Sequence, residues 1–349
     1  MIYCGDFTFP TQFSKYIFEG LGNDFIQKPK IVNFESTLSH LNKRKITKGI
    51  ALESSLDSKT ALNYLNVKCT GHANNHVLDF DFNLHTYQKY FKEVKIQPIG
   101  LGINLEEATR PFFFDEEKLI VIAFGWKTIR CTPAGQNKRG VSPYKYSFVD
   151  KLVKHYRDIY PDHRIILYPH WNYEFETCPF PADRKFSHHL IDLGVDGIFG
   201  HHPHVINCFE IYKGKPIFYS LGNFYFPQVQ YGDNVINFRK SALNGISIEY
   251  DGTLEDLKIH HHCQTKKGEK IKLIGSYGLD EISKSEIPLL ENISEFSDEK
   301  YYQFYKKNRF HKMKGLPIYR DYKNSFQNEL YSLYVQLRQI PVDFLSKKR

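Results

Sequence analysis

The sequence predicts a layered α/β fold, and two patterns along the chain support this prediction. The first is a series of short apolar runs, each ending in a polar or glycine-containing cluster. The second is a set of stretches with helical periodicity between the runs, at residues 58–65, 84–94, 146–159 and 184–193. Alternating strands and helices build sheets that helices cover, and ligands gather where loops leave the carboxyl ends of the strands. We therefore expect a ligand site at those strand ends.

The composition supports one large folded unit with an appendage. Of the 349 residues, 41% are hydrophobic and 15% aromatic, which excludes global disorder. The net charge of +8 is modest and does not indicate a nucleic-acid partner. Most of the positive excess lies in residues 261–349, which contain two aromatic-rich stretches with helical spacing at 299–314 and 326–339. We expect a main domain at 1–260 and a basic, aromatic-rich, mainly helical extension at 261–349 packed on it.

The cysteines and the lengths of the apolar runs predict the cellular compartment of the protein. Six cysteines are scattered without a CxxC pair, a pattern typical of reduced thiols rather than of a disulfide framework or a zinc knuckle. No run approaches 18 apolar residues, so no transmembrane anchor is expected. The first apolar strand begins at Ile2, which leaves no room for a secretory signal. These observations predict a cytoplasmic protein, either free or peripheral at the inner membrane.

Several polar residues that follow the apolar runs are metal-ligand types. Two divalent ions about 3.5–4 Å apart need several oxygen and imidazole ligands that converge on one point. A carboxylate can bridge both ions, neutral imidazoles complete the shells, and an amide oxygen serves as a hard ligand. The residues that could meet this need come from well-separated strand ends: Asp6, Glu35, Asn75, His76, His170, Glu174, His202 and His204.

The segment Gly200-His201-His202-Pro203-His204 follows a strand-like run. The restriction that Pro203 places on His202 favours an extended backbone, in which His202 and His204 point to the same side. The alternative is a solvated histidine-rich loop. The presence of the other clusters favours the metal-binding interpretation.

The segment Asn74-Asn75-His76 also has two interpretations. It is either an Asn-rich turn with a helix cap, or a functional cluster. In the functional interpretation, Asn75 offers an amide oxygen to a metal, and His76 faces the substrate as a general acid. Asp79 then fixes the tautomer of the His76 ring, although a capping role for Asp79 is a close alternative.

Further motifs join these clusters in a defined order along residues 5–224. The full set is Gly5-Asp6, Asn33-Phe34-Glu35, Asn74-Asn75-His76 with Asp79, Gly100-Leu101-Gly102-Ile103-Asn104, His170-Trp171 with Glu174, Gly194 to His204, and Tyr219-Ser220-Leu221-Gly222-Asn223-Phe224. The order of these motifs resembles that of the CapA (capsule and poly-γ-glutamate synthesis) family, and the match extends through the strand-like run 245–250. The resemblance implies a calcineurin-like metallophosphoesterase fold, a four-layer sandwich of two mixed β-sheets flanked by helices.

The resemblance also implies roles for individual residues. His76 looks like the acid on the substrate side, and His201 and Glu174 look like further residues of the catalytic site that support the ligands or contact the substrate. We interpret Trp171 as a wall of the substrate pocket, and Asn223 as either a ligand contact or a residue that holds its own loop. The implied cofactor is one or two divalent ions of Mn, Zn, Fe or Mg. The metal ligands would be Asp6, Glu35, Asn75, His170, His202 and His204.

Three positions depart from the family pattern. Family members usually have glycine where this chain has Asn172, and also two residues after Asp79, where this chain has Asp81. Metallophosphoesterases often carry histidine at the position of Thr8. One metal site could therefore be weaker, and variants with one metal or none stay open. The membrane anchor found at the N-terminus of many members is also not expected here.

Two hypotheses of function follow. In the first, the protein is a metal-dependent hydrolase of the phosphoesterase type that acts in capsule, surface-polysaccharide or poly-γ-glutamate biosynthesis. Its substrate would be an anionic or phosphorylated small molecule or a polymer precursor. In the alternative, it is a non-catalytic or weakly metal-binding assembly factor that recruits polymer or capsule synthesis proteins through its basic extension.

Overall fold

The structure is a computed structural model that describes residues 1–38, 44–45, 49–231, 234–310 and 315–346. Two mixed β-sheets form its centre. The strands of the larger sheet are β1 (Ile2–Phe7), β2 (Lys30–Phe34), β6 (Val67–Gly71), β8 (Gln97–Ile99), β17 (Asn223–Tyr225), β20 (Asn244–Glu249), β21 (Lys258–Gln264) and β22 (Ile271–Tyr277). Seven of these eight strands follow the order β22-β21-β20-β1-β2-β6-β8, and β17 pairs with the C-terminal end of β1.

The second sheet has six strands. They are β10 (Phe112–Phe114), β11 (Leu119–Gly125), β13 (Arg164–His170), β14 (Gly197–Phe199), β15 (Phe209–Tyr212) and β16 (Lys215–Phe218). Their order is β10-β11-β13-β14-β16-β15, and the central strands β11, β13, β14 and β16 are parallel. Four short pairs lie outside both sheets: β3 (Thr37–Leu38) with β5 (Glu53–Ser54), β4 (Arg44–Lys45) with β7 (Phe80–Asp81), β9 (Leu101–Gly102) with β12 (Gly140–Val141), and β18 (Gln230–Tyr231) with β19 (Asn234–Val235).

The helices confirm the predicted periodicity. They are α1 (Asn23–Gln27), α2 (Ser58–Tyr64), α3 (Leu84–Lys92), α4 (Leu105–Ala108), α5 (Tyr146–Ile159), α6 (Pro181–Asp192), α7 (Asp298–Asn308) and α8 (Ser325–Ser346). The structure has α5 at the predicted bounds, and α2 and α3 end one or two residues earlier than predicted. The exception is α6, which begins three residues before the predicted start, because Pro181 occupies the first helical turn, where its missing N–H costs nothing.

The two sheets pack face to face through a continuous core. Every residue of β1, β2 and β11 is buried, as expected for strands covered on both faces. The ring of Tyr3 in β1 stacks on Phe199 in β14, with the centroids 4.4 Å apart. From β13, the Tyr168 hydroxyl donates to the carbonyls of Cys4 and Ile31 in the other sheet. The predicted α/β architecture of two mixed sheets with helices is therefore confirmed.

The C-terminal residues pack on the six-stranded side of the molecule. Tyr301 and Tyr305 of α7 are buried in the main core. The hydroxyl of Ser332 in α8 lies 2.6 Å from that of Thr128.

The larger sheet runs through β22, so a domain boundary at residue 260 would cut β21. We propose instead that the extension begins after Tyr277. The predicted helix 299–314 corresponds to α7, which ends earlier than predicted, at Asn308, and residues 311–314 lie outside the described residues.

No helix in the described ranges is both long enough and apolar enough to cross a membrane.

Candidate metal centre

Five of the predicted ligands lie together at the carboxyl ends of parallel strands. Asp6 is near the end of β1 and Glu35 directly follows β2, whereas His170 ends β13, and His202 and His204 follow β14. Their ligand atoms form two groups: Glu35 with His170 and His202, and Asp6 with Glu35 and His204. Within each group, the ligand atoms lie within 4.8 Å of one another. Glu35 belongs to both groups, as a bridging carboxylate would.

Glu35 is fully buried, and neither of its carboxylate oxygens has a hydrogen-bond partner among the described residues. Its Oε1 lies 3.5 Å from His170 Nε2 and 3.7 Å from His204 Nε2, beyond hydrogen-bond reach. Burial, together with the nearby Asp6, raises the pKa of the Glu35 carboxyl, although the charge of His204 opposes this shift. A buried carboxylate without donors is costly, and a divalent cation between these atoms would compensate for that cost. The donor set therefore fits a divalent metal.

Asp6, by contrast, is held by donors. Asn33 donates from Nδ2 to Asp6 Oδ1 at 2.7 Å, and the backbone N–H of His202 donates to Oδ2 at 3.3 Å. Burial would raise the pKa of this carboxyl, but the hydrogen bond and charge of His204 outweigh it and lower the pKa. His204 Nδ1 lies 3.3 Å from Asp6 Oδ2 and 2.9 Å from Asn223 Oδ1. Burial would lower the pKa of His204, but the charges of Glu35 and Asp6 raise it to about 10.

His170 has a partner for each ring nitrogen. Its Nδ1 lies 3.2 Å from Asn33 Nδ2. Nε2 lies 2.7 Å from Asn75 Oδ1. The predicted ligand Asn75 is therefore at the centre. Burial, followed by the charge of neighbouring histidines, lowers the pKa of His170, which favours the neutral ring that a metal requires.

The backbone at His202 corrects one prediction. We expected an extended conformation there, but the φ angles are +94° at His202 and +57° at His204. The expectation was wrong because tertiary contacts, including the bond from the His202 N–H to Asp6, override the local preference before proline. His202 is buried, and the described ranges offer no hydrogen-bond partner to its Nδ1. Non-glycine residues with positive φ are uncommon, and they cluster at functional sites.

His76 and Asp79 form a pair beside the centre. His76 Nδ1 lies 2.7 Å from Asp79 Oδ2, and the same oxygen accepts a hydrogen bond from the Leu52 N–H. The Asp79 carboxylate therefore orients the imidazole instead of capping a helix. The turn interpretation holds for Asn74, whose Oδ1 accepts from the N–H groups of His76 and Val77.

The remaining predicted site residues take different positions. Glu174 is exposed, and its charge acts on both Glu35 and His204. His201 is buried, stacks on Tyr168, and turns its two ring nitrogens toward the carbonyls of Pro169 and Cys4. Trp171 is buried and donates from its indole N–H to the carbonyl of Tyr219. The catalytic and substrate-binding roles given to these residues stay predictions.

Asn33 and Asn223 act as supports for the ligands. Asn33 contacts Asp6 and His170 with one amide group, a role that the sequence analysis missed. The spacing in the sequence could have indicated this role. Asn33 and Glu35 are two residues apart at the end of β2, and side chains two apart in an extended chain point to the same face. Asn223 pairs with Asp6 in the sheet and donates from Nδ2 to the carbonyl of Ala242, so it holds its own loop as well as His204.

Two of the three positions that depart from the family pattern, Asn172 and Thr8, have defined contacts in the structure. Asn172 has φ +67°, a left-handed conformation that glycine adopts freely and asparagine tolerates. Its Oδ1 accepts from the N–H of Tyr173, and its Nδ2 donates to the carbonyl of Cys178. Thr8 is buried, and its hydroxyl lies 2.6 Å from that of Tyr231. A threonine hydroxyl in that contact does not replace an imidazole ligand.

A protein family and several known proteins resemble this chain in sequence. The sequence profile of a family described as bacterial capsule synthesis protein PGA_cap matches residues 11–228. The PGA biosynthesis protein CapA of Bacillus subtilis (strain 168) is 29% identical over 229 residues, which cover 63% of this chain and 58% of that protein. The capsule biosynthesis protein CapA of Bacillus anthracis is 27% identical over 192 residues, covering 54% of this chain and 47% of that protein. The chain thus spans about half the length of these relatives.

Among solved structures, the 5'-nucleotidase precursor from Thermus thermophilus aligns with 63% of this chain and 40% of that chain. The sequence identity is 13% and the TM-score is 0.30. A likeness at this level supports no conclusion about the present chain.

Proposed function

Because this chain belongs to the bacterial capsule synthesis protein family PGA_cap, we propose that it is a divalent-metal-dependent hydrolase of the phosphoesterase type. The proposed pathway is the biosynthesis of capsule, surface polysaccharide or poly-γ-glutamate. The observation that supports it best is Glu35, a buried carboxylate that two groups of potential ligands share and that has no hydrogen bond within the part of the chain that the structure describes. A purely structural glutamate at this depth would have donors around it.

In this proposal, Asp6, Glu35, Asn75, His170, His202 and His204 hold one or two ions. When bound, such ions supply positive charge that stabilises the negative charge developing on a phosphoryl or carbonyl oxygen. Asn33 keeps Asp6 and His170 in place, and Asn223 does the same for His204. Because these supports are themselves buried, the ligand positions are set before substrate binds.

His76 is the proposed general acid. Its Nδ1 is occupied by the Asp79 carboxylate, so Nε2 is the nitrogen that exchanges a proton with the leaving group. Asp79 is fixed in turn by the Leu52 N–H, which limits rotation of the His76 ring. His76 is only partly buried, as a residue that meets substrate must be.

A variant series with metal quantitation tests this proposal. The untagged protein is purified, its Mn, Zn, Fe and Mg content is measured, and phosphomonoesters, phosphodiesters and γ-glutamyl amides are screened for hydrolysis. We expect at least about one equivalent of metal, and we expect His202→Ala to lose metal together with at least about a hundredfold of activity. His85→Ala removes an exposed histidine of α3 and serves as the matched control. Retention of both metal and activity in His202→Ala would contradict the ligand assignment.

A second candidate function is an assembly factor without catalysis. It is favoured by a row of exposed apolar side chains on α8, formed by Phe326, Leu330, Leu333 and Leu337. These positions repeat at helical spacing on one face of the helix, as a protein-binding surface would. Sub-stoichiometric metal in the wild-type protein, with no hydrolysis when Mn, Zn or Mg is added, would favour this function over the first.

A further inference from the structure

A continuous wall of aromatic rings leads outward from the metal centre. The ring of Phe238 stacks on the imidazole of His204, with centroids 4.8 Å apart and an interplanar angle of 25°. Phe175 contacts Phe238 edge to face at 5.6 Å and Phe310 at 5.9 Å. All three phenylalanines are partly exposed. The wall therefore connects a proposed metal ligand to the protein surface.

Arg239 lies on the outer end of this wall. Its guanidinium carbon is 4.3 Å from the ring centroid of Phe310 and 5.6 Å from that of Phe175. Among the described residues, no carboxylate lies within 4 Å of this guanidinium, and the side chain is exposed. Arginine stays charged at every physiological pH, and a guanidinium stacked on rings keeps its N–H edges free for an oxyanion. The stacking fixes the position of the charge without neutralising it.

Phe175 is held in place at a conformational cost. Its φ is +62°, which is an outlier for a bulky side chain. The backbone N–H of Phe175 donates to the carbonyl of Pro203, between the two proposed ligands His202 and His204. The same loop that shapes the metal centre thus fixes the ring on which Arg239 rests. Strain of this kind persists only where the surrounding structure imposes it.

We propose that Arg239, with Phe175, Phe238 and Phe310, forms a binding subsite for an anionic group of the substrate, next to the group held at the metal centre. The inference rests on the proposed function and narrows its substrate class. The substrate carries a second oxyanion, either a phosphate or a carboxylate, which reaches Arg239 beyond the rings of Phe238 and Phe175. Glu174, the exposed residue before Phe175, is a carboxylate that would repel such a substrate, and the positive charge of Arg239 opposes this repulsion.

Equilibrium binding to the full chain tests this subsite. The probes are inorganic phosphate and a γ-linked tri-glutamate, which distinguish the two sources of the oxyanion, and titrations are run with Mn²⁺ and separately with EDTA. We expect Arg239→Gln to weaken binding of at least one probe by about tenfold and to reduce the salt dependence of that binding. Arg239→Lys should restore only part of the affinity, because an ammonium lacks the planar face that stacks on the rings.

Lys240→Ala is the matched control, because Lys240 is the adjacent exposed cation and lies on no ring of the wall. Its affinity should stay within about twofold of wild type. Equal affinity and equal salt dependence in wild type and Arg239→Gln would overturn the proposal, as would a wild-type chain that binds neither probe. A lower melting temperature of Arg239→Gln with unchanged affinity would assign Arg239 a structural role instead. Titrations in EDTA distinguish a failure of the subsite from a failure of the proposed function. In EDTA, a loss of probe affinity in Arg239→Gln reports on the subsite alone, because neither metal binding nor hydrolysis contributes to it.

Discussion

Glu35 and Asp6 illustrate how two neighbouring buried carboxylates take different roles at the scale of single residues. Asp6 accepts hydrogen bonds from Asn33 and the His202 backbone, which hold its orientation. Glu35 accepts none. Its charge is therefore compensated in the described chain only by more distant imidazoles. A cation bound by both carboxylates would supply the charge compensation that Glu35 lacks.

The first prediction concerns Glu35→Gln. The change replaces the carboxylate that the two ligand groups share with a neutral amide, so we expect metal affinity to fall by at least about a hundredfold. The metal-free variant should melt no lower than the metal-free wild type, because an uncompensated buried carboxylate is removed. Metal quantitation and thermal melts in EDTA measure both effects. Glu174→Gln is the control, because it changes an exposed carboxylate whose charge acts on Glu35, and it should retain metal. Full metal content in Glu35→Gln would contradict the bridging role.

A second residue-scale prediction concerns Asp183. This buried carboxyl accepts hydrogen bonds from the hydroxyls of Tyr144 and Tyr146, and burial raises its pKa to about 7 despite those bonds. In the unfolded chain its pKa is about 4. As the pH rises from about 4 to about 7, the unfolded state releases its proton before the folded state does, so stability falls across this window and stays lower above it.

Asp183→Asn should remove this pH dependence, because the amide oxygen still accepts from a tyrosine but cannot ionise. We expect the variant to be more stable relative to wild type at pH 8 than at pH 4, by about 1–3 kcal/mol. Urea unfolding at the two pH values gives the difference. Asp150→Asn, at a partly exposed carboxylate of α5, is a control with a depressed pKa and should shift stability in the opposite direction. An equal effect of Asp183→Asn at both pH values would contradict the argument.

At the scale of elements, α6 connects the six-stranded sheet to the C-terminal extension through one buried arginine. Arg184 donates to Glu210 in β15 at 2.8 and 3.1 Å. It also donates to the carbonyl of Phe296, just before α7. Both Arg184 and Glu210 are almost fully buried. The extension is therefore attached by a desolvated ion pair as well as by the rings of Tyr301 and Tyr305.

Arg184→Met should leave the Glu210 carboxylate buried without its cation. We expect a loss of about 3–5 kcal/mol in the free energy of unfolding, together with faster proteolysis near residue 296. Lys185→Met is the matched control, because the neighbouring Lys185 forms only a surface pair with Asp298 at 3.4 Å. Such a pair contributes at most about 1 kcal/mol. Equal losses in the two variants would argue against the buried pair as the attachment.

At the scale of the whole molecule, the candidate centre joins the two sheets. Asp6 and Glu35 come from the larger sheet, and His170, His202 and His204 come from the smaller one. The sheets also meet through apolar packing, the hydroxyl of Tyr168 and the ring of His201. A cation held by ligands from both sheets would bind the folded chain and not the unfolded one.

Metal binding should therefore stabilise the entire fold. At a metal concentration about a hundred times the dissociation constant, linkage gives about 2.7 kcal/mol, which corresponds to a rise in melting temperature of roughly 3–8 °C. The measurement is a thermal melt of the EDTA-treated protein with and without Mn²⁺ or Zn²⁺. Glu35→Gln should show no such rise. A wild-type melting temperature that is independent of metal would exclude a bridge between the sheets.

Local sequence predicted the helices and the strand ends well, because both depend on the periodicity of apolar residues within one segment. The bounds of α5 agree with the prediction, and the chemistry-bearing residues lie at strand ends as expected. Two features could not be predicted in this way. The positive φ of His202 arises from a contact with Asp6 on another sheet, and the double contact of Asn33 depends on His170, which is remote in sequence.

The α/β class, the residues available as ligands and the family pattern could all be predicted from the sequence, since each depends on neighbouring positions. The folded chain was needed to show that Glu35 is shared between two ligand groups, that β21 and β22 extend the larger sheet, and that Arg239 rests on the rings of Phe310 and Phe175. The physical reason is that hydrogen bonding, desolvation and ring stacking in these places are set by partners from distant segments, whose distances exist only in the folded chain.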